Sequence, residues 1–301
     1  MSVQAYYDLV APAKLNLFLH VVGRRADGYH LLQSLFVLID WCDTLHVERR
    51  SDGRLARHDL AVTLPDDDLC LRAARALQAA SGTPMGADIS IAKHVPWGAG
   101  MGGGSSDAAT TLLALNRLWG LNWPRPRLMA LGLTLGADVP FFLGGHNAFV
   151  EGIGERLTPV RLSPLLLAVI KPAVSIETRA IFGSPLLVRD TEAVILEGWS
   201  VDGLAGLSFG RNDLQPPAEA ACTEVAQAAE ILRGSFGNSR MTGSGSAVFA
   251  RVSADTLSGP GTTGQPSAAL APKMPADLPP GWVGRMCRSL EQHPLVGWAA
   301  D

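Results

Sequence analysis

The sequence is poor in the residues that build metal centres and disulfide frameworks. Its four cysteines, Cys42, Cys70, Cys222 and Cys287, show no CxxC or CxxH spacing. That speaks against zinc ribbons and a stapled secreted fold, and buried free thiols are expected. The seven histidines are scattered, with no pair at helical metal-ligand spacing, so the sequence builds no metal site. Charge of one sign is also lacking. The net charge is -3, with no run of five or six like charges, which argues against a nucleic-acid partner and a polyelectrolyte tail. The longest strictly apolar run, residues 165–170, falls far short of the roughly 18 residues a membrane helix needs. Gln4 and Asp8 stand where a signal peptide would want a basic start and an apolar stretch. A cytoplasmic protein without membrane contact is expected.

What is present is core material. The 301 residues are 47% hydrophobic and 18% charged, enough for two domains or one large one. Alternation over 14–21 predicts a strand with Leu15, Leu17, Leu19 and Val21 on one face and Lys14, Asn16, Phe18 and His20 on the other. Asp27-Gly28 marks a turn, and a second strand is expected over 35–39. The spacing then predicts a helix over 69–80, a strand over 87–92, and a helix from Ser105 whose apolar face carries Ala108, Leu112, Leu115 and Trp119. A helix over 127–135, a hairpin over 149–160 and a strand over 165–170 follow. Further helices are expected near 178–182 and 218–232, and a strand over 247–252. The mixture gives an α+β fold, with a soft boundary near 159–164 between domains 1–160 and 161–301. Residues 258–281, rich in Pro, Gly, Ala, Ser and Thr, read as a flexible surface insertion.

Between the strand at 87–92 and the following helix stands Pro96-Trp97-Gly98-Ala99-Gly100-Met101-Gly102-Gly103-Gly104-Ser105-Ser106. Glycines let a backbone curl with its N–H groups turned inward, and a helix start adds free N–H groups and a positive dipole end. Such a loop cradles anions; the plain alternative is a linker with a serine N-cap. Gly98-x-Gly100-x-x-Gly103 also matches the dinucleotide fingerprint, which would suit an oxidoreductase. That fingerprint wants an acidic residue about 20 positions on, and residues 121–127 carry none. A P-loop wants a lysine before its Ser/Thr, also missing here. A third kind of phosphate loop remains.

Three other features stand out. Asp138, in Gly136-Ala137-Asp138-Val139-Pro140, is either a general base or an N-cap. Lys14 interrupts an apolar strand, as a functional cation or as an edge lysine reaching solvent. Met241-Thr242-Gly243-Ser244-Gly245-Ser246 is a second small-residue loop, readable as a tight turn.

Together, Pro12-Ala13-Lys14-Leu15-Asn16-Leu17, the glycine loop and the loop at 241–246 resemble the three signatures of the GHMP kinase superfamily. Arg25-Ala26-Asp27-Gly28-Tyr29-His30, Gly132-Leu133-Thr134-Leu135-Gly136-Ala137-Asp138-Val139-Pro140 and Ser175-Ile176-Glu177-Thr178 resemble one branch of it. That branch phosphorylates the 2-hydroxyl of a cytidine-diphosphate-linked methylerythritol in the non-mevalonate route to isoprenoid precursors. The resemblance implies a two-domain fold with the site in the inter-domain cleft, ATP held by residues 96–106, and a catalytic pair in Lys14 and Asp138. It implies a cytosine pocket of Tyr29, His30 and Phe182, with Asn16 and Thr178 on the acceptor. Mg²⁺ is implied by the ATP chemistry, with Ser106 as the best contact and no dedicated protein site. A monomer or weak homodimer is expected. Asp68 stands where the family usually places asparagine, and a carboxylate cannot donate a hydrogen bond to the adenine side as an amide would. The alternatives are another GHMP-type kinase acting on homoserine or mevalonate, the oxidoreductase, and a silent nucleotide-binding module.

Overall fold

The computed structural model describes residues 3–195, 201–206, 208–252 and 272–301. Two long strands, β1 (Ala5–Arg24) and β2 (His30–Arg50), form an antiparallel hairpin around the Asp27-Gly28 turn. With β3 (Leu55–Asp59), β4 (Gly86–Ala92), β5 (Ala148–Gly152) and β6 (Arg156–Pro159) they make a six-stranded sheet, ordered β3-β4-β2-β5-β6 with β1 on β2. Four helices, α1 (Leu69–Ser81), α2 (Gly103–Leu118), α3 (Arg125–Leu133) and α4 (Val139–Gly144), belong to this half. Leu77, Leu112, Leu115 and Phe141 from these helices share one core with Leu45, Val47 and Ile89 of the sheet. Each such side chain contributes about 1.5–3 kcal/mol by leaving water.

The second half is a four-stranded antiparallel sheet, β10-β7-β9-β8, made of β7 (Leu166–Lys171), β8 (Arg240–Met241), β9 (Val248–Arg251) and β10 (Val283–Arg288). Helices α5 (Thr178–Gly183), α6 (Val201–Ala205), α7 (Gln215–Ala221) and α8 (Thr223–Phe236) complete it. The two halves meet along β1. Leu19 exchanges backbone hydrogen bonds with Arg211 and Asp213, and buried Arg240 donates to the carbonyl of Leu17. The chain end returns to the first half, where Leu295 and Ala299 join its core.

Several expectations are corrected. The alternation on β1 does not hold: residues from Ala11 to Val21 are buried, and Phe18 clusters with Leu15 and Leu17 while Leu19 and Val21 join another core. A register shift between Asn16 and Leu19 resets the side-chain sense. The helix expected over 218–232 is two, because Cys222 is extended (φ -150°, ψ 105°) between α7 and α8. β3 and β10 were not expected; neither carries a long β-branched or aromatic run. Of the supposed insertion, 258–271 lie outside the described residues, and 272–281 form neither helix nor strand. No helix among the described residues is long and apolar enough to cross a membrane.

Candidate active site

Lys14 is not an edge lysine. It is 4% exposed, its Nζ lies 2.7 Å from Asn16 Oδ1 and 3.4 Å from Asp138 Oδ2, and it stands 4.4 Å over the Phe36 ring. A buried ammonium needs such partners, since water is not there to solvate it. Asp138 occupies the residue before α4 but makes no side-chain cap bond, so the capping reading falls. Its side chain is 30% exposed, which leaves the carboxylate open to solvent beside a fixed cation.

Asn16 is 1% exposed. Its Oδ1 accepts from Lys14 and from Thr242 Oγ1, its Nδ2 donates to Ser34 Oγ, and its backbone N–H donates to Thr242 Oγ1. Ser34 in turn donates to the carbonyl of Phe18. This network fixes the amide so that its oxygen faces Lys14.

The glycine loop is stitched between β1 and the loop before β9. The Lys14 N–H donates to the Met101 carbonyl at 2.9 Å, and the N–H groups of Ser246 and Ala247 donate to Gly98 and Ala99. Gly100 has φ +72°, and a Cβ there would stand 2.4 Å from the Thr242 carbonyl oxygen. At Gly102 (φ +70°) a Cβ would press on Phe142 and on the stem of Lys14. No larger residue lets three segments approach this closely. The helix expected from Ser105 begins earlier, at Gly103, and its N-cap Gly102 offers no side-chain bond, which removes the serine-cap alternative. The first-turn N–H groups of this 16-residue helix therefore face the loop uncapped.

Residues Pro96 through Ser105 line a cavity of about 380 Å³ together with Leu64, Pro65, Asp68 and Lys93. Trp97 is 61% exposed in this lining. Ser106 lies behind it, fully buried, with an Oγ that has no hydrogen-bond partner. Asp68 caps α1, accepting from the N–H groups of Cys70 and Leu71, and pairs with Arg57 at 2.9 Å. A carboxylate does this as well as an amide would.

Below the loop, Lys93 sits between two buried carboxylates, paired with Asp43 and 2.6 Å from Asp107. Asp43 also accepts the N–H groups of His94 and Val95, which orients the chain entering the loop. Burial opposes the Lys93 charge, but Asp107 and Asp43 outweigh it and raise its pKa. Burial likewise pushes the Asp107 carboxyl well above the usual carboxylate range, with Lys93 pulling the other way.

Across the molecule, His30 stacks on Phe182, with centroids 5.0 Å apart and planes 27° apart. Thr178 Oγ1 and Ser244 Oγ are 2.7 Å apart, tying α5 to the loop before β9. Tyr29 is 62% exposed and makes no ring contact with Phe182. The structure thus brings together Lys14, Asn16, Asp138 and the glycine loop, and separately His30 with Phe182 and Thr178 with Ser244.

Residues 68–146 match the family model for the GHMP kinases N terminal domain, and 203–258 that for GHMP kinases C terminal. A 4-diphosphocytidyl-2-C-methyl-D-erythritol kinase of Methylibium petroleiphilum is 66% identical over 299 residues, covering 99% of this chain and 100% of the relative. One of Albidiferax ferrireducens is 55% identical, covering 99% of this chain and 97% of the relative. The chain belongs to the 4-diphosphocytidyl-2-C-methyl-D-erythritol kinase family. The crystal structure of a 4-(cytidine 5'-diphospho)-2C-methyl-D-erythritol kinase matches with TM-score 0.71 at 36% identity, covering 83% of this chain and 92% of that one. A homoserine kinase from Cytophaga hutchinsonii (TM-score 0.64, 15% identity, 97% of this chain and 96% of that one) shares the fold.

As a member of this family the chain is a small-molecule kinase with an α+β GHMP fold. Sequence reasoning missed Ser34, Phe36, Asp43, Lys93 and Arg189 around its candidate site. Of these only Lys93 carried a signal: a lysine between a mostly apolar strand and the glycine loop.

Proposed function

We propose that the chain transfers the γ-phosphoryl group of ATP to the 2-hydroxyl of 4-diphosphocytidyl-2-C-methyl-D-erythritol. The products are the 2-phosphate and ADP, on the non-mevalonate route to isoprenoid precursors. The observation that carries the reading is the Lys14–Asp138 pair, 3.4 Å apart, with Lys14 bonded through its backbone to the glycine loop. Phosphoryl transfer needs held phosphates, neutralised charge and an oriented hydroxyl. The loop and the start of α2 hold the phosphates. Asp138 accepts the hydroxyl proton. Lys14, 3.4 Å from that carboxylate, positions the hydroxyl beside it.

Mg²⁺ accompanies the nucleotide and spreads the charge on its phosphates. Such an ion keeps most of its ligands as water and phosphate oxygen, so one protein oxygen suffices. The unpartnered Ser106 Oγ on the first turn of α2 fits that need. Asn16, expected on the acceptor, is buried with its amide bonded to Lys14, Thr242 and Ser34, and acts by orienting Lys14. His30, Phe182 and Tyr29 take the cytosine, and Thr178 the acceptor side. Residues 1–160 carry the ATP side and 161–301 the substrate side, with Tyr29 and His30 reaching the base from the first half, in a cytoplasmic monomer or weak homodimer.

Phosphorus NMR of the reaction tests the reading. ATP and the cytidyl substrate should give ADP and one new phosphomonoester. Turnover of homoserine or mevalonate with none of the cytidyl alcohol would overturn it.

A further inference from the structure

Arg189 joins the two sides of the base pocket proposed above. Its Nε donates to His30 Nε2 at 3.1 Å, from the segment that follows α5 to the first residue of β2. Its Nη1 donates to the Leu187 carbonyl, and its Nη2 to the carbonyls of Phe182 and Ser184. One guanidinium therefore holds the end of α5, and with it the Phe182 ring, against the imidazole stacked on that ring.

The chemistry of this contact fixes more than position. A guanidinium has donors and no acceptor, so His30 Nε2 must present a lone pair. The ring is then neutral with its one proton on Nδ1, a nitrogen that has no protein partner among the described residues. Burial and the nearby Arg189 and Arg24 charges lower the His30 pKa, which also favours the neutral ring. Because His30 lies within 27° of parallel to Phe182, a base stacked beside it on Phe182 would present its edge to the imidazole's own plane. There the Nδ1–H is a free in-plane donor.

We propose that Arg189 is a positioning residue for base selectivity: it holds His30 as the Nδ1–H tautomer, which donates to cytosine and repels uracil. Cytosine N3 is an acceptor, whereas uracil N3 carries a proton. The opposite tautomer would place a lone pair on Nδ1 and accept that proton. The inference rests on the reading of His30 and Phe182 as the cytosine pocket. A site whose only free donor meets another donor loses a bond and leaves two groups unsatisfied.

The test is competition by CDP and UDP against the cytidyl substrate in wild type, Arg189→Met and Arg189→Lys. It is read alongside the ¹⁵N shifts of the His30 ring, assigned by their loss in His30→Asn. In the wild type CDP should bind at least roughly ten-fold tighter than UDP, with His30 protonated on Nδ1. In Arg189→Met the ratio should fall to within about three-fold, and the ring should show a mixture of tautomers or the Nε2–H form. Arg189→Lys keeps a donor-only cation but not the fork that also holds the Leu187, Phe182 and Ser184 carbonyls, and should fall between wild type and the Met variant. His30→Asn, whose amide nitrogen can stand near Nδ1, should keep more of the CDP preference than His30→Gln. Variants at Arg189 that keep both the ratio and the Nδ1–H tautomer would overturn the proposal. If CDP does not compete even in the wild type, the base pocket itself is wrong and this inference falls with it.

Discussion

Lys14 Nζ lies 3.4 Å from Asp138 Oδ2, and the two differ sharply in exposure: 4% for the lysine side chain, 30% for the aspartate. The cation is fixed from behind by Asn16 and Phe36, while the carboxylate faces outward. A fixed charge costs no reorganisation when a proton moves to its neighbour.

Lys14→Met keeps the aliphatic stem that packs against Gly102 and removes the ammonium. Turnover should fall by at least about 10²-fold, the scale seen when one preorganised charge or donor is lost. Steady-state kinetics at saturating ATP read this directly. Loss of less than about five-fold would mean the cation is structural.

Gly100→Ala puts a Cβ at φ +72° and 2.4 Å from the Thr242 carbonyl. The variant should lose about 1–3 kcal/mol of stability and bind ATP more weakly, because the loop can relieve the clash only by moving. Urea melts and nucleotide titration would check both. Unchanged ATP affinity would detach the loop from the nucleotide.

Lys93→Met leaves Asp43 and Asp107 buried without their shared cation. Removing one partner of a buried ionic cluster costs about 3–5 kcal/mol, so the urea midpoint should drop strongly. A shift worth under about 1 kcal/mol would mean the triad is weakly coupled to the fold.

His293 supplies a pH dependence. It is fully buried, its ring Nδ1 accepts from the Leu295 N–H, and burial with the Arg125 charge lowers its pKa to about 4 from 6.5. The folded state resists protonating this ring, so its contribution is complete above pH 6.5 and is lost as pH falls toward 4. Between pH 7 and 4.5 the wild type should lose on the order of 2–3 kcal/mol more than His293→Asn. Parallel losses in the two proteins would contradict this.

The elements carried by local pattern were legible: the hairpin, α1, α2, β4 and the hairpin of β5 and β6. So was the glycine loop, because glycines at alternate positions before an amphipathic helix have few other uses. The bulge in β1 was hidden, since a register shift depends on the partner strand and not on alternation. The Asp68 cap carried a usable cue, an aspartate just before the helix at Leu69, which its departure from the family residue obscured. Lys14 and Asp138 were paired only through family resemblance, because their meeting depends on how α4 docks beside β1. Arg189 had no cue at all: its partners are carbonyls and a ring across the cleft.

The most direct measurement of the central claim is ADP release with the cytidyl substrate in wild type and Asp138→Asn. The account predicts a loss of roughly 10²–10⁴-fold in turnover, the usual scale for a general base, with ATP affinity little changed. Turnover within a few-fold of wild type would contradict it.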